Sequence, residues 1–345
     1  MLRALLAILL VIVSAAQVWG DTSLPVLGAR AAALGGAFTA VADDATAFQW
    51  NPAGLAQGSF LRLGFSASGG FEDRDELVNA LRGDRADAPG SLSSDRALGF
   101  SSSFTLFGLS IYQFRYTAET LSDGLLRSQA LETLEIGASF VQSLPLDDLT
   151  VGVNLRYVRG TAFQGVRDAE DIPPSERNVS DLVRATTTAT DGHTEAEPAI
   201  DLGILYQPGE FIRFGFAARN LNRPTFHSDK GESLHLDRHA RVGVAFFAPG
   251  ALVVSADVDL SARQTELRGG GWREVSLGAE KTWSSLPRLS LRGGVRAEFG
   301  AGGLERPALS AGIGVRLADF ELSVAGSAAS ARERAGFWAG LTYRP

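Results

Sequence analysis

From Ser59 to the end of the chain, apolar and polar residues alternate with period two, in runs of roughly ten to fifteen residues broken by Gly, Pro, Asp and Ser. Three runs carry the pattern best. In 150–158, Val151, Val153, Leu155 and Tyr157 share one face while Gly152, Asn154 and Arg156 share the other. In 251–261, Leu252, Val254, Ala256, Val258 and Leu260 oppose Val253, Ser255, Asp257 and Asp259. In 288–299, Leu289, Leu291, Val295 and Phe299 oppose Arg288, Ser290, Arg292, Arg296 and Glu298. A water-soluble sandwich also alternates, but its strands average only about 5 to 6 residues. A strand crossing a bilayer at a tilt needs about 9 to 11, with apolar side chains toward lipid and polar ones toward the lumen. These run lengths predict transmembrane strands.

Strands are expected near 58–71, 95–105, 107–121, 125–143, 148–163, 191–207, 210–221, 236–248, 250–262, 270–284, 287–301, 304–318, 319–329 and 333–344. The fold class is therefore all-β, a transmembrane antiparallel barrel of about 14 strands, an even number as single-chain bacterial barrels have. Tight links such as 106–107, 144–147, 207–210, 248–250, 284–287 and 318–319 read as periplasmic turns. The longer, charged links 72–94, 164–190, 222–236 and 263–269 read as outer loops, with 75–81 a candidate amphipathic helix at the mouth. Tyr112, Tyr116, Tyr157, Tyr206, Trp272, Trp283, Trp338 and Tyr343 fall toward strand ends, where interfacial girdles belong. Pairing the last strand with the first would remove the edges that lipid cannot hydrogen-bond.

The front of the chain sets the compartment. Arg3, the apolar run 4–13 and the small residues 14–20 form a cleavable signal peptide, 1–20, too short to span a bilayer as a helix. The expected destination is the outer membrane of a Gram-negative type cell, in contact with its lipid. With no cysteine anywhere, disulfide staples, lipoprotein anchoring and thiolate metal sites are excluded. A net charge of −7 argues against nucleic acid as a partner. The 39 glycines, 45% apolar content and mean hydropathy of +0.05 fit a barrel better than a helical membrane protein.

Between signal and barrel, 21–57 has a different texture. Residues 29–33 and 42–48 are small and helix-compatible, Asp43 or Asp44 is placed as an N-cap, and Asn51-Pro52 stops any helix. Gly35-Gly36 permits close backbone packing in a narrow lumen. The pattern GARA, LGGAF, AVADDATA, WNPAGLA resembles the N-terminal hatch of the FadL-type (OMPP1/FadL/TodX) outer-membrane transport proteins and the related PorV/PorQ proteins. The resemblance implies a lumenal hatch ahead of a barrel over 58–345, with Asn51, Pro52 and Ala53 matching the NPA motif. It assigns hatch or gating roles to Gly35, Gly36, Asp43, Asp44, Trp50, Asn51, Pro52 and Ala53. Transport members of this family pass hydrophobic compounds through a hatch-gated interior. The shorter, hydrophilic links at 164–190 and 222–236, and a third strand without internal Gly or Pro, bring the resemblance closer to the PorV/PorQ-like branch, whose members can be adaptors of protein secretion.

The lumen-lining set expected from strand parity is Arg156, Asp201, Arg213, Asp257, Glu274, Glu280, Arg292, Arg296, Glu298 and Arg316. Mixed signs read as mutual salt-bridging or as a docking surface for the hatch. His235, Asp237 and His239 have metal-like spacing only on a helix, and their segment leads into a strand, so no metal is expected. No catalytic or phosphate-binding motif occurs, so neither enzyme activity nor a cofactor is expected. The functional reading is a monomeric, hatch-gated transporter of hydrophobic or other small molecules. The alternatives are a PorV/PorQ-like adaptor with secretion-system partners, and a generic porin.

Overall fold

The computed structural model describes residues 26–74, 90–144, 148–173, 175, 192–228, 233–265, 268–284, 287–300, 303–329 and 334–345. The signal peptide and the candidate helix at 75–81 lie outside these residues. In chain order the strands are β1 (Leu61–Arg74), β2 (Gly90–Phe104), β3 (Phe107–Ser122), β4 (Leu125–Leu144), β5 (Leu149–Asp168), β6 (His193–Tyr206), β7 (Ile212–Arg219), β8 (Thr225–His227) and β9 (Ser233–His235). There follow β10 (His239–Ala248), β11 (Leu252–Asp259), β12 (Arg263–Thr265), β13 (Arg268–Trp283), β14 (Arg288–Gly300), β15 (Gly303–Leu317), β16 (Phe320–Ala329) and β17 (Arg334–Tyr343).

Fourteen of these strands close an antiparallel barrel. β8 and β9 form a separate hairpin, and β12 is a short extension on β13. The sheet runs without a break from β11 through β10 and β7 back to β1, across to β17, and down to β13, which pairs with β11 to complete the ring. The closing pair of first and last strands runs from Leu63 opposite Tyr343 to Glu72 opposite Arg334. No helix among the described residues is long and apolar enough to cross a membrane, so crossing falls to the strands.

Strand parity explains which residues face where. In β5, Leu155 and Tyr157 are exposed while Asn154, Arg156 and Val158 are buried. The large apolar residues Phe65, Phe140, Leu277, Leu291, Leu309 and Leu322 all lie exposed on the outer face. Such a surface is stable only when lipid covers it. The ladder of β3 with β2 and β4 is regular over its full length, in keeping with the absence of Pro, and of Gly beyond Gly108 at its start. β1, β2 and β5 extend several residues past their expected outer ends, because their backbone pairing continues beyond the lipid-facing zone.

Three expectations are corrected. Tyr112 and Trp338 are not girdle residues: both are buried and point inward, Tyr112 beside Phe114 and Trp338 donating to the Val26 carbonyl at 2.7 Å. The cap at 43–44 is displaced: the short helix Ala47–Trp50 starts after Thr46, which makes no side-chain capping bond and whose N–H and hydroxyl donate to Asp44 Oδ1. The link 222–236 is not simply a solvated outer loop. Its β8–β9 hairpin buries Phe226, Leu234 and Leu236 against Leu131, Val158, Ala162 and Ala199 of the wall, because those apolar side chains have no lipid to face.

Leu277 is 52% exposed on the outer face. Leu277→Arg is expected to cost roughly 2–4 kcal/mol if it sits near the bilayer midplane, measured as an earlier urea-unfolding midpoint of the heat-modifiable band in lipid.

Candidate functional site

Residues 26–57 do not join the wall; they fill the bore. The segment folds as α1 (Ala29–Ala33), α2 (Ala47–Trp50) and a 3-10 turn, η1 (Pro52–Ala56). Small side chains keep it narrow, and Ala31, Ala33, Leu34, Ala37, Phe38, Ala40, Val41 and Ala42 are fully enclosed. Phe38 packs edge-on to Trp50, whose indole N–H donates to the Leu27 carbonyl at 3.0 Å and so ties the two ends of the segment together.

Asn51 is the central joint. With φ −161° and ψ 104° it is extended, as the following proline requires. Its amide nitrogen donates to the Thr39 carbonyl at 2.9 Å and to the Ile204 carbonyl of β6 at 3.0 Å, while its oxygen accepts from Ala53 N–H at 3.1 Å. One side chain thereby links two parts of the segment to the wall. Asp257 does the reverse from β11: its Oδ2 accepts from the N–H groups of Phe38 and Thr39 at 3.0 and 2.8 Å. Wall hydroxyls take three further carbonyls, Ser101 that of Ala45, Ser255 that of Ala37 and Ser310 that of Ala33. An irregular backbone survives at membrane depth only when its polar groups are satisfied in this way.

Charges are paired in layers. Arg30 joins Asp43 of its own segment to Glu280 of the wall, and Arg292 continues from Glu280 at 2.8 Å to Glu321 at 2.7 Å. Arg241 holds Asp259 at 2.6 Å, Glu274 at 2.8 Å and the Gly36 carbonyl at 3.0 Å. Arg213 donates to Gln207 and Gln57 and lies over the Phe247 ring. Farther up the bore, Arg156 pairs with Glu135 at 2.6 Å and Asp201 at 2.8 Å, joined by Asn154 and Asn220. Arg296 and Glu298 sit toward the outer end of β14, and Arg316 lies at the opposite, short-turn end of β15. Above this polar layer, the β8–β9 hairpin is fastened by Arg223 to Asp237 at 2.8 Å and His227 to Glu195. Burial pushes the Asp237 carboxyl up to about 6, with Arg223 acting in the other direction.

Arg213, Asp257, Glu274, Glu280 and Arg292 are thus brought together against the N-terminal segment and Arg156 and Asp201 above it, while Arg296, Glu298 and Arg316 lie outside these two groups. The lumen-lining set expected from the sequence lacked Arg30, Arg241, Glu135 and Asp259, which complete the pairs, and Arg62, which donates to carbonyls of the N-terminal segment. Sequence reasoning also missed the main docking signal, which is glycine. Gly152 faces Gly203, Gly215 faces Gly243 and Gly278 faces Gly294 across neighbouring strands, all on the lumen side. A Cβ on Gly278 would lie 2.6 Å from the Leu34 carbonyl oxygen, and one on Gly215 would lie 2.5 Å from that of Thr39. Strand glycines of this kind mark close approach of another backbone. The segment's own Gly35, at φ 68°, meets the Val295 backbone at 2.8 Å in the same sense.

Comparison with solved structures places this architecture among known barrels. The chain is similar to the Pseudomonas putida toluene transporter TodX, with 13% identity, a TM-score of 0.60, and coverage of 92% of this chain and 98% of that one. It is similar to a Pseudomonas aeruginosa FadL homologue at 10% identity and TM-score 0.60, covering 94% and 99%. The monoaromatic hydrocarbon channel CymD matches at 14% identity and TM-score 0.57, covering 94% and 98%. The family model described as "F plasmid transfer operon, TraF, protein" matches residues 97–259, less than half of the chain. No curated protein matches significantly. The chain thus has the fold of FadL-type outer-membrane barrels.

Gly278→Ala is expected to loosen the N-terminal segment by about 1–3 kcal/mol through overpacking, whereas Leu277→Ala on the lipid face should not. Limited proteolysis of folded protein, read as the rate of cleavage within residues 26–57, measures the difference.

Proposed function

We propose that this protein carries small hydrophobic molecules across the outer membrane, and that residues 21–57 are a hatch that must shift to let them pass. On this reading residues 1–20 are a signal removed on export, 58–345 form the barrel, and the unit works as a monomer. The observation that carries it is that the bore is filled by a segment outside the wall, held to it by hydrogen bonds and ion pairs. Such contacts can exchange with water, which supports a block that reverses when the segment moves. Wall-forming strands have no comparable freedom.

The names of the structural neighbours support the class of cargo: a toluene transporter and a monoaromatic hydrocarbon channel share this fold. Asn51, Asp257 and Arg241 act as the latch. No observation favours the secretion-adaptor role that the PorV/PorQ-like resemblance suggested.

The chain contains no cysteine, so a single engineered disulfide can report on gating. Ser255 Oγ lies 2.7 Å from the Ala37 carbonyl, placing the two residues side by side. In the double variant Ala37→Cys/Ser255→Cys, uptake of a monoaromatic probe into proteoliposomes is expected to fall to background when oxidised and return on reduction. Unchanged uptake in the oxidised form would rule out hatch movement as the gate.

A further inference from the structure

At the short-turn end of the barrel, between the N-terminal segment and the ends of β1 and β13 to β17, lies an open cavity of about 120 Å³. On such a measure one water takes about 10–15 Å³, so the space holds a small polyatomic ion with part of its hydration. Six arginines and four carboxylates line it, an excess of positive charge in a protein whose overall charge is −7.

The carboxylates are already committed. Asp43 and Glu280 take Arg30, Glu280 and Glu321 take Arg292, Glu321 also takes Arg344, and Asp44 accepts from Thr46. Arg62, Arg288 and Arg316 are left over. Arg62 donates to the carbonyls of Asp43, Leu55 and Gln57 and to the Ser103 hydroxyl, and Arg316 donates to the carbonyls of Ala318 and Arg344. Carbonyls accept hydrogen bonds without cancelling charge. Arg288 is exposed at the rim. These charges also act on one another, Arg316 with Arg344 and Arg288, and Arg62 with Arg344. Arg344, whose guanidinium shares Glu321 with Arg292, adds a further cation to the same lining. Convergent like charges around an open space are what an oxyanion relieves, through charge-assisted bonds.

We propose that this cavity is an oxyanion-binding site, taking one phosphate or carboxylate group on Arg288, Arg316 and Arg344. It lies on the face opposite the β8–β9 hairpin and stands independently of the transport reading. The group arrives either as a free anion or as the head of an amphiphile.

The test is isothermal titration of the full detergent-solubilised protein with inorganic phosphate at fixed ionic strength, with chloride as the control. Saturable binding of one phosphate per chain is expected. It should weaken about tenfold or more in Arg288→Gln/Arg316→Gln, as loss of charge-assisted bonds implies. Arg288→Lys/Arg316→Lys, which keeps the charge but not the guanidinium fork, should bind more tightly than the glutamine variant and less tightly than the native chain. Retained heat-modifiable mobility shows that the variants fold. Absence of saturable binding, or a glutamine variant that binds as well as the native chain, overturns the proposal. Titrations with acetate, decanoate and glycerol phosphate then assign the source: equal affinity for acetate and decanoate supports a free anion, and a clear gain for decanoate supports an amphiphile head.

Discussion

Lipid offers no hydrogen bonds, and that constraint organises the whole molecule. Every backbone N–H and C=O at membrane depth must find a protein partner, which only a closed ladder supplies for a strand protein. Closure between β1 and β17 meets that demand and forces each strand to divide its residues, apolar outward and polar inward. The inward half then has its own problem. Charges crowded into a narrow bore are costly unless paired, and the networks around Arg156, Arg241 and Arg292 are the answer. Breaking one by removing its arginine would strand buried carboxylates, at a cost of roughly 3–5 kcal/mol.

The N-terminal segment is accommodated by the same logic. Its backbone is irregular, and several of its polar groups are met by Asn51 from within and by Asp257, Ser101, Ser255 and Ser310 from the wall. Its closeness to the wall depends on glycines facing glycines across adjacent strands, which remove side chains just where main chain meets main chain. A wall shaped around a segment that is not part of it is the structural basis for treating that segment as a hatch. At the outer end the contact is different in kind, with Phe226 and Leu234 of the hairpin packed on apolar wall residues. The hydrogen-bonded segment fills the bore, and the hairpin covers part of the wall beyond it.

Much of this was legible in the chain. Period-two alternation located all fourteen barrel strands and their inward faces, because lipid enforces parity residue by residue; Arg156, Asp257 and Arg292 turn up buried as that parity requires. The extended geometry at Asn51 followed from Pro52. What could not be read was tertiary. Parity says that Glu280 faces inward, but not that Arg30, 250 positions away in sequence, meets it. The inward fold of 222–236 was hidden because its few apolar residues are scattered among charged ones. Aromatic position alone could not tell a girdle from a packing role, so Tyr112 and Trp338 were misassigned. The strand glycines were a readable signal that composition alone had blurred.

The central claim is that residues 26–57 are what closes the barrel. Single-channel recording in planar bilayers tests it most directly, comparing the intact chain with one lacking those residues. The account requires a silent intact protein and a steadily conducting deletion variant. An intact chain that already conducts like an open pore, or a folded deletion variant that stays silent, would contradict it.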